Sequence, residues 1–337
     1  MPLEQLVQTF LPAIEEELHK VVERAKGPDL NLLHHMLAYH LGWEGEKAGP
    51  EARGKRIRPI LLLLTTAATR GDWYKALPAA AAVELIHNFS LIHDDIEDNS
   101  PVRRGRPTLW KLWGVPQAIN AGDALFSLAH LALLDISQNT SSNITLKASH
   151  LLLETCLHLT QGQYLDISYE LRGDLTLQAY WPMVQGKTAA LLATCTELGA
   201  LVAEADPKVC AAYREFGYAL GLAFQVLDDL LGIWGDVALT GKSAESDLLS
   251  GKKSLPVLYG LSQSGDFAAR WAKGPITPDE ISFLASLLER EGAHAYTREC
   301  ANDLTEQALE ALERAQPQGD AGQALQILAH QLLNRQV

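Results

Sequence analysis

The sequence has few cysteines and few basic residues, and each shortage excludes a class of protein. Its four cysteines are scattered along 337 residues without the short spacings of a zinc site or a disulfide framework. We therefore expect them to pack as small hydrophobic side chains in a reducing compartment, the cytoplasm. Lys and Arg total 28 against 41 Asp and Glu, giving a net charge of −13. Nucleic acid is an improbable partner, because phosphate backbones require a basic footprint.

The sequence also lacks an uninterrupted run of eighteen apolar residues, so no membrane span is expected. The most apolar long segment, residues 77–93, contains Glu84 and His87 and is followed by aspartates, which is typical of a buried core helix. The N-terminus is amphipathic and acidic, unlike a signal peptide. Hydrophobic residues make up 47% of the chain and occur in long periodic segments without alternation. This pattern predicts an all-α protein, with one domain over residues 1–337.

An acidic motif follows that apolar segment, in HNFSLIHDDIEDNSPVRR. On a helix, Asp94 and Asp98 share one face, and Asp95 and Glu97 flank them. Like charges at this spacing destabilise a helix by about 0.2–0.5 kcal/mol per pair, so a cation is expected there. Oxygen ligands without a nearby cysteine suit Mg²⁺. The alternative is a solvated acidic face without a ligand.

A second acidic pair makes the metal site the better hypothesis. Asp228 and Asp229 follow another apolar helical run, and Asp236 comes two turns later. We expect the two acidic helix ends to face one cavity and to share a metal-bound polyanion. Cations that could hold such an anion occur in several short segments: Lys55, Arg56, Arg58, Arg103, Arg104, Lys187, Lys242, Lys252 and Lys253.

Local signals define some helix boundaries. Pro59 suits the first turn of a helix, which places the basic residues before it at a helix N-terminus. Pro78 opens the central helix, and Asn99 to Pro101 end it after Asp98. Asp123 is predicted to cap the following helix. The glycine- and serine-containing segment from Asp236 to Lys253 is predicted to be a loop that orders over a ligand.

These motifs together resemble the trans-isoprenyl diphosphate synthases. The resemblance covers roughly residues 50–260 and depends on GKRIRP, HNFSLIHDDIEDNSPVRRGRPT, QGQYLD, GKTAAL, FQVLDDLLG and GKKSLP, in that order. It implies an isoprenoid-synthase fold, a single large helical bundle around a central cavity, which is usually a homodimer. It further implies condensation of isopentenyl diphosphate with dimethylallyl, geranyl or farnesyl diphosphate, using three Mg²⁺ ions.

The resemblance also assigns roles to particular residues. Asp94 and Asp98 match metal ligands with Asp95 assisting, and Asp228 matches the ligand of a third ion. The positions that bind the diphosphate of isopentenyl diphosphate are Lys55, Arg58, His87 and Arg104. Those that hold the allylic diphosphate are Arg103, Lys187, Lys242 and Lys252. Thr188 and Gln225 match groups beside the reacting carbons. One departure is Gly232, where the family's second motif usually has an aspartate.

Two residues below the first motif bear on product length. Phe89 is the fifth residue before Asp94, and Ser90 is four residues, or one helical turn, before Asp94. In having an aromatic residue at this position, the sequence resembles the synthases that stop at geranylgeranyl diphosphate. Farnesyl diphosphate is the alternative product. A class I terpene cyclase and a non-catalytic subunit of a heteromeric synthase are the competing functions. The presence of GKRIRP and of both acidic motifs favours an active prenyltransferase over either.

Overall fold

The computed structural model describes residues 3–170, 172–235 and 246–333, and most of them are helical. The helices are α1 (Leu3–Val22), α2 (Asn31–His40), α3 (Pro50–Arg53), α4 (Ile57–Ala68), α5 (Leu77–Glu97), α6 (Leu109–Trp113), α7 (Val115–Leu134), α8 (Ser142–Glu170), α9 (Tyr180–Val184), α10 (Ala190–Val202), α11 (Pro207–Trp234), α12 (Ser246–Ser250), α13 (Leu255–Ser262), α14 (Asp266–Trp271), α15 (Ile281–Arg290), α16 (Ala293–Ala315) and α17 (Gly319–Leu333). The predicted all-α class is confirmed.

Short non-α segments connect these helices. Turns of 3₁₀ helix cover Glu23–Ala25, Trp73–Ala76, Asp135–Gln138, Leu177–Ala179 and Pro278–Glu280, and a π-helical turn covers Gln185–Ala189. In the described ranges, β-structure is limited to an antiparallel hairpin of strands β1 (Val102–Arg103) and β2 (Arg106–Pro107). The basic RRGRPT segment forms this hairpin.

The contacts divide the chain into two compact units. The first comprises Met1–Leu153, Cys195–Ala211 and Gln316–Leu325, and the second comprises Glu154–Thr194, Ala212–Ala315 and Gln326–Val337. The single domain expected over residues 1–337 stays a prediction.

The first unit is built around α4, α5 and α7. In α4 the run Ile60 to Leu64 is fully or almost fully buried, since its apolar side chains occupy every face. In α5 the four alanines from Ala79 to Ala82 are buried, and α7 packs against this helix. Small side chains allow two helix backbones to approach closely, so the N-terminal part of α5 forms the centre of this unit.

The second unit has its own apolar core between the C-terminal end of α11 and the helices that follow. Ile233, Leu248, Val257, Phe267 and Leu284 are buried in it, each 5% exposed or less. Leu248 comes from the five-residue helix α12, which is too short to be stable by itself. Burial of Leu248 therefore anchors α12 beside α11.

Two predicted boundaries need correction. Asp123 does not cap a helix: it lies inside α7, which begins at Val115 with Pro116 in its first turn and Gly114 before it. Proline suits the first turn because its missing N–H needs no partner there, so the helix starts two turns earlier. The loop predicted between Asp236 and Lys253 is interrupted by the short helix α12 (Ser246–Ser250), because Leu248 is buried in the core of the second unit. Residues 236–245, which include Asp236 and Lys242, lie outside the described residues.

Among the residues that the structure describes, two helices are long and apolar enough to cross a membrane by length and composition, Val115–Gln138 and Pro207–Trp234. In the second, 67% of the apolar window is buried inside the molecule. Core helices of proteins that never enter a membrane pass the same test, so both are weak indications of a span.

Candidate active site

The first acidic motif lies at the C-terminal end of α5. The backbone N–H of Asp98 donates to the carbonyl of Asp94 at 2.8 Å, so the two residues are one turn apart. The negative end of the helix dipole adds to the repulsion between their carboxylates, and a cation relieves both. Within the described ranges, no three His, Cys, Asp or Glu side chains gather around one point as a metal site. A pair of carboxylates suits Mg²⁺, which completes its coordination with water and phosphate oxygens.

The middle aspartate of this motif is buried and orients an arginine. Asp95 is 2% exposed, and its Oδ1 accepts a hydrogen bond of 2.7 Å from Nε of Arg103. Burial raises the pKa of Asp95 above its ordinary value, and the Arg103 guanidinium offsets only part of that effect. Asp95 therefore fixes the arginine beside the two more accessible carboxylates.

The hairpin after α5 brings the next arginine onto the GKRIRP segment. Arg104 and Gly105 form its two-residue turn with φ of 50° and 70°, the left-handed values of a type I′ turn. Nη1 of Arg104 donates to the carbonyls of Ala52 and Arg53 at 2.9 and 3.0 Å. A Cβ at Gly54, whose φ is +76°, would lie 2.7 Å from Nη2 of Arg104 and would push the guanidinium group away. Two motifs that are 50 residues apart in the sequence therefore meet.

His87 lies among the cations that the resemblance assigns to isopentenyl diphosphate. Burial lowers its pKa well below the ordinary value, and Arg58, Arg104 and Arg103 lower it further. The buried Nε of Arg58 has no hydrogen-bond partner in the described part of the chain. Lys55 is exposed just before the start of α4. A cluster of mostly cationic side chains, one of which has a hydrogen-bond donor without a partner, suits an anionic ligand.

Arg56, between those two cations, has a structural role. It is 3% exposed, with Nε donating to Glu15 at 2.8 Å and Nη1 donating to Glu84 at 2.9 Å. Its Nη2 donates to the carbonyl of Leu41 at 3.1 Å. Its inclusion among the cations available to a polyanion is corrected, because its charge and donors are used inside the protein.

His40 is a residue that the motifs did not indicate. It lines a small pocket with Asp95, Arg103, Arg104 and Arg106. Burial and the neighbouring arginines lower its pKa to about 3, so the imidazole is neutral at pH 7. Its Nε2 is buried without a hydrogen-bond partner in the described residues. No sequence signal links it to the motifs, since it lies on α2, outside all of them.

In the second unit, GKTAAL begins on the π-helical turn Gln185–Ala189 and continues into α10. Here α8 approaches with backbone against backbone, since a Cβ at Gly162 would collide with the amide nitrogen of Lys187. The Nζ of Lys187 forms a short ion pair with Asp166. π-Helical turns are frequent at functional sites, and this one sets the direction of the lysine.

The second acidic pair divides into a buried and a more accessible member. Asp229 is 1% exposed and accepts hydrogen bonds from Tyr180 Oη at 2.8 Å and from the backbone N–H of Leu255 at 3.0 Å. Burial raises its pKa. Asp228 is partly exposed. Tyr180 belongs to no motif, so the sequence did not indicate this anchor.

Thr188 and Gln225, predicted to lie beside the reacting carbons, contact each other. Oγ1 of Thr188 donates to Oε1 of Gln225 at 2.8 Å. Nε2 of Gln225 donates to Oδ1 of Asp229 at 3.0 Å. The amide of Gln225 is therefore held in one orientation. Lys252 Nζ lies 3.8 Å from the same Asp229 oxygen.

The two residues assigned to product length lie on α5. The ring of Phe89 packs edge-on against Phe126 of α7, with centroids 5.1 Å apart, and against His93 at 4.7 Å. The hydroxyl of Ser90 donates to the carbonyl of His87 at 2.8 Å. Phe126 is a contact that the sequence did not indicate.

Comparison with known proteins identifies the family. The polyprenyl synthetase family model matches residues 47–273. The chain belongs to the polyprenyl synthetase family. It is 40% identical over 311 residues to the (2E,6E)-farnesyl diphosphate synthase of Mycobacterium tuberculosis, covering 89% of this chain and 86% of that one. It is 39% identical over 305 residues to a geranylgeranyl diphosphate synthase of the same organism, covering 88% and 85%.

A solved structure extends the similarity over the whole length. The geranylgeranyl pyrophosphate synthase of Corynebacterium glutamicum, complexed with isoprenyl diphosphate and magnesium, has a TM-score of 0.85 and 26% identity, and the match covers all of both chains. These findings confirm the resemblance, the isoprenoid-synthase fold and the prediction that this polyprenyl synthetase is a prenyltransferase. Relatives named as diphosphate synthases favour this reaction over terpene cyclisation.

Proposed function

We propose that this polyprenyl synthetase condenses isopentenyl diphosphate with dimethylallyl, geranyl and farnesyl diphosphates to geranylgeranyl diphosphate. The observation that carries the proposal is that each acidic helix end, Asp94 with Asp98 and Asp228 with Asp229, has its own nearby cations. Carboxylates for a divalent metal beside cations for a phosphate are what binding of a metal diphosphate requires.

In the first unit, Lys55, Arg58, His87 and Arg104 bind the diphosphate of isopentenyl diphosphate. The unpartnered Nε of Arg58 and the neutral imidazole of His87 supply hydrogen bonds, and the arginines supply charge. Arg104 is already held by two carbonyls, so it loses little side-chain entropy when the ligand binds.

The allylic diphosphate is held by Arg103, Lys187, Lys242 and Lys252. Asp94 and Asp98 bind two Mg²⁺ ions with Asp95 assisting through Arg103, and Asp228 binds a third. When bound, the ions neutralise the charge that builds on the departing diphosphate. Arg103 and Lys187, each directed by a carboxylate, stabilise the same charge from the protein side.

The chain's remaining task is to protect and direct the allylic cation. The oxygens of Thr188 and Gln225 ease its positive charge, and the fixed amide of Gln225 keeps its carbonyl dipole in one direction. Apolar helix surfaces exclude the water that would otherwise quench the cation. The double bond of isopentenyl diphosphate attacks, and the proton then released passes to an oxygen of the diphosphate leaving group.

Phe89 limits the product to twenty carbons. It is the fifth residue before Asp94 on the helix, a rise of about 7.5 Å, so its ring lies more than one turn below the metal ligands. Its contact with Phe126 supports a rigid floor formed by two rings from α5 and α7. Ser90, being small and bonded to its own helix, leaves space above that floor.

The enzyme acts as a cytoplasmic homodimer. Four apolar side chains of α8, Leu146, Leu153, Leu157 and Tyr164, are between 51% and 71% exposed. Their spacings of 7, 4 and 7 residues place them on one stripe of the helix. A stripe of large apolar groups exposed to water favours association, and a second copy of the chain supplies an identical stripe to pack against it. The four cysteines, all in described ranges, are free, which suits a reducing compartment.

The purified chain alone tests this function. Incubation with Mg²⁺, isopentenyl diphosphate and each allylic primer should yield geranylgeranyl diphosphate, detected by mass spectrometry. Asp94→Asn should lower turnover at least about 100-fold, which corresponds to roughly 2.7 kcal/mol of transition-state stabilisation. Glu97→Gln, on the same helix turn, should stay within about twofold. Turnover only with a second protein would indicate a non-catalytic subunit, and cyclic hydrocarbons would indicate a cyclase.

A further inference from the structure

Position 232 lies on the polar face of α11. Asp228 and Asp229 follow Gln225 by three and four residues, and Gly232 follows these two aspartates by four and three, so the four residues share one side of the helix. The family's second motif usually places a carboxylate at the last of these positions. In this chain Asp247 occupies the space beside that position. A Cβ built on Gly232 would lie 2.5 Å from Oδ2 of Asp247 and 2.9 Å from its Cγ.

Asp247 is held at this place by its own short helix. Its neighbour Leu248 is completely buried in the core cluster that includes Ile233, one residue beyond Gly232. The carbonyl of Asp247 accepts hydrogen bonds from the backbone N–H of Lys252 at 3.0 Å and from Oγ of Ser250 at 3.2 Å. The backbone that presents this carboxylate to Gly232 therefore cannot shift without moving a buried leucine.

The same carboxylate faces the ammonium group of Lys252. Oδ2 of Asp247 is 4.0 Å from Nζ, and Oδ1 of Asp229 is 3.8 Å from it on α11. Burial lowers the pKa of Lys252, but the carboxylates of Asp229 and Asp247 outweigh it and raise the pKa above the ordinary value. The lysine is thus a fixed positive charge beside Asp228.

We propose that Asp247 is a positioning residue that supplies, from α12, the carboxylate missing at position 232, and that it directs Lys252 toward the allylic diphosphate. The inference rests on the proposed function for the identity of that ligand. It requires glycine at 232, because a second side chain would displace the Asp247 carboxylate, and a second carboxylate would also repel it. Positions 232 and 247 are therefore energetically coupled, and the functional enzyme has a carboxylate at one of these two positions but not at both.

Steady-state kinetics of three variants test this coupling. Asp247→Asn keeps the shape of the side chain and removes its charge, so the KM for geranyl diphosphate should rise about tenfold while the KM for isopentenyl diphosphate stays unchanged. Gly232→Asp should impair use of the allylic substrate similarly. The double variant Gly232→Asp with Asp247→Ala should recover to within about threefold of the original enzyme, although independent effects would multiply. Asp266→Ala, an exposed aspartate of the same unit, is the matched control.

Several results would overturn the inference. If the unsubstituted enzyme turns over and Asp247→Asn behaves like it, Asp247 acts only through its shape. Multiplying effects in the double variant would show that the two positions are independent. Failure of the unsubstituted enzyme to condense the substrates would contradict the proposed function instead. In that event thermal unfolding still decides the coupling, since Gly232→Asp should lower Tm less in the Asp247→Ala background, and equal losses would refute it.

Discussion

Replacing Arg56 by alanine should destabilise the protein strongly without acting on substrate directly. The change removes three hydrogen bonds, to Glu15, Glu84 and the carbonyl of Leu41. Glu84 is 2% exposed and would be left as a buried charge. In the described part of the chain, the side-chain amide of Asn88, at 2.9 Å, is the hydrogen-bond donor that its carboxylate would keep. Breaking a buried ion pair from one side costs about 3–5 kcal/mol.

The backbone conformation of Arg56 allows the energy of the lost contacts to be separated from the energy of backbone strain. Its φ is 49°, in the left-handed region, where a non-glycine residue costs roughly 1–2 kcal/mol. Arginine and alanine bear this cost equally, so Arg56→Ala isolates the lost contacts. Arg56→Gly loses the same contacts and relieves the strain, so it should be about 1 kcal/mol more stable than Arg56→Ala. The expected order of stability is the original protein, then Gly, then Ala.

Chemical and thermal unfolding measure the effect. A loss of 3–5 kcal/mol should lower Tm by roughly 4–7 °C in a protein of this size. The neighbouring Lys55→Ala is the matched control: its side chain is exposed, so stability should change by less than about 0.5 kcal/mol while the KM for isopentenyl diphosphate rises. An Arg56→Ala protein that melts normally but binds isopentenyl diphosphate poorly would refute the structural role.

Three other perturbations address product length, pH and assembly. Phe89→Ala should extend products to twenty-five carbons or more because it opens the floor above Phe126, and an unchanged chromatogram would place the limit elsewhere. Burial depresses the folded-state pKa of His40 to about 3, against about 6.5 unfolded. The unfolded chain therefore binds more protons between these values, and stability present above pH 6.5 should fall by up to about 1.4 kcal/mol per unit below it. Denaturant titrations at pH 7.5 and 5 should show a shallower loss in His40→Asn, and equal losses would contradict the assignment. Leu153→Glu should convert a species of twice 36.8 kDa into a monomer by light scattering, whereas Lys147→Glu should not, and a monomeric original protein would exclude the dimer.

The sequence by itself determined the features that depend on local spacing. The positions of the long helices followed from apolar periodicity and from prolines such as Pro59 and Pro78, because a helix is defined by neighbours three and four residues apart. The pairing of Asp94 with Asp98 followed from the same geometry. The resemblance carried by the motifs was sufficient to identify the family, as the comparisons later confirmed.

Only the tertiary structure decided which of several chemically equal side chains are available to a ligand. Arg56 and Arg58 are two residues apart, yet Arg56 forms ion pairs with Glu15 and Glu84. In contrast, Nε of Arg58 has no hydrogen-bond partner in the described part of the chain. Adjacent Asp228 and Asp229 differ in burial, since Asp229 is 1% exposed and Asp228 is partly exposed. Burial and pairing arise from contacts between residues distant in sequence, as with Asp247 filling the space at Gly232. Motif spacing contains no such information, because it fixes the face of a helix but not what packs against that face.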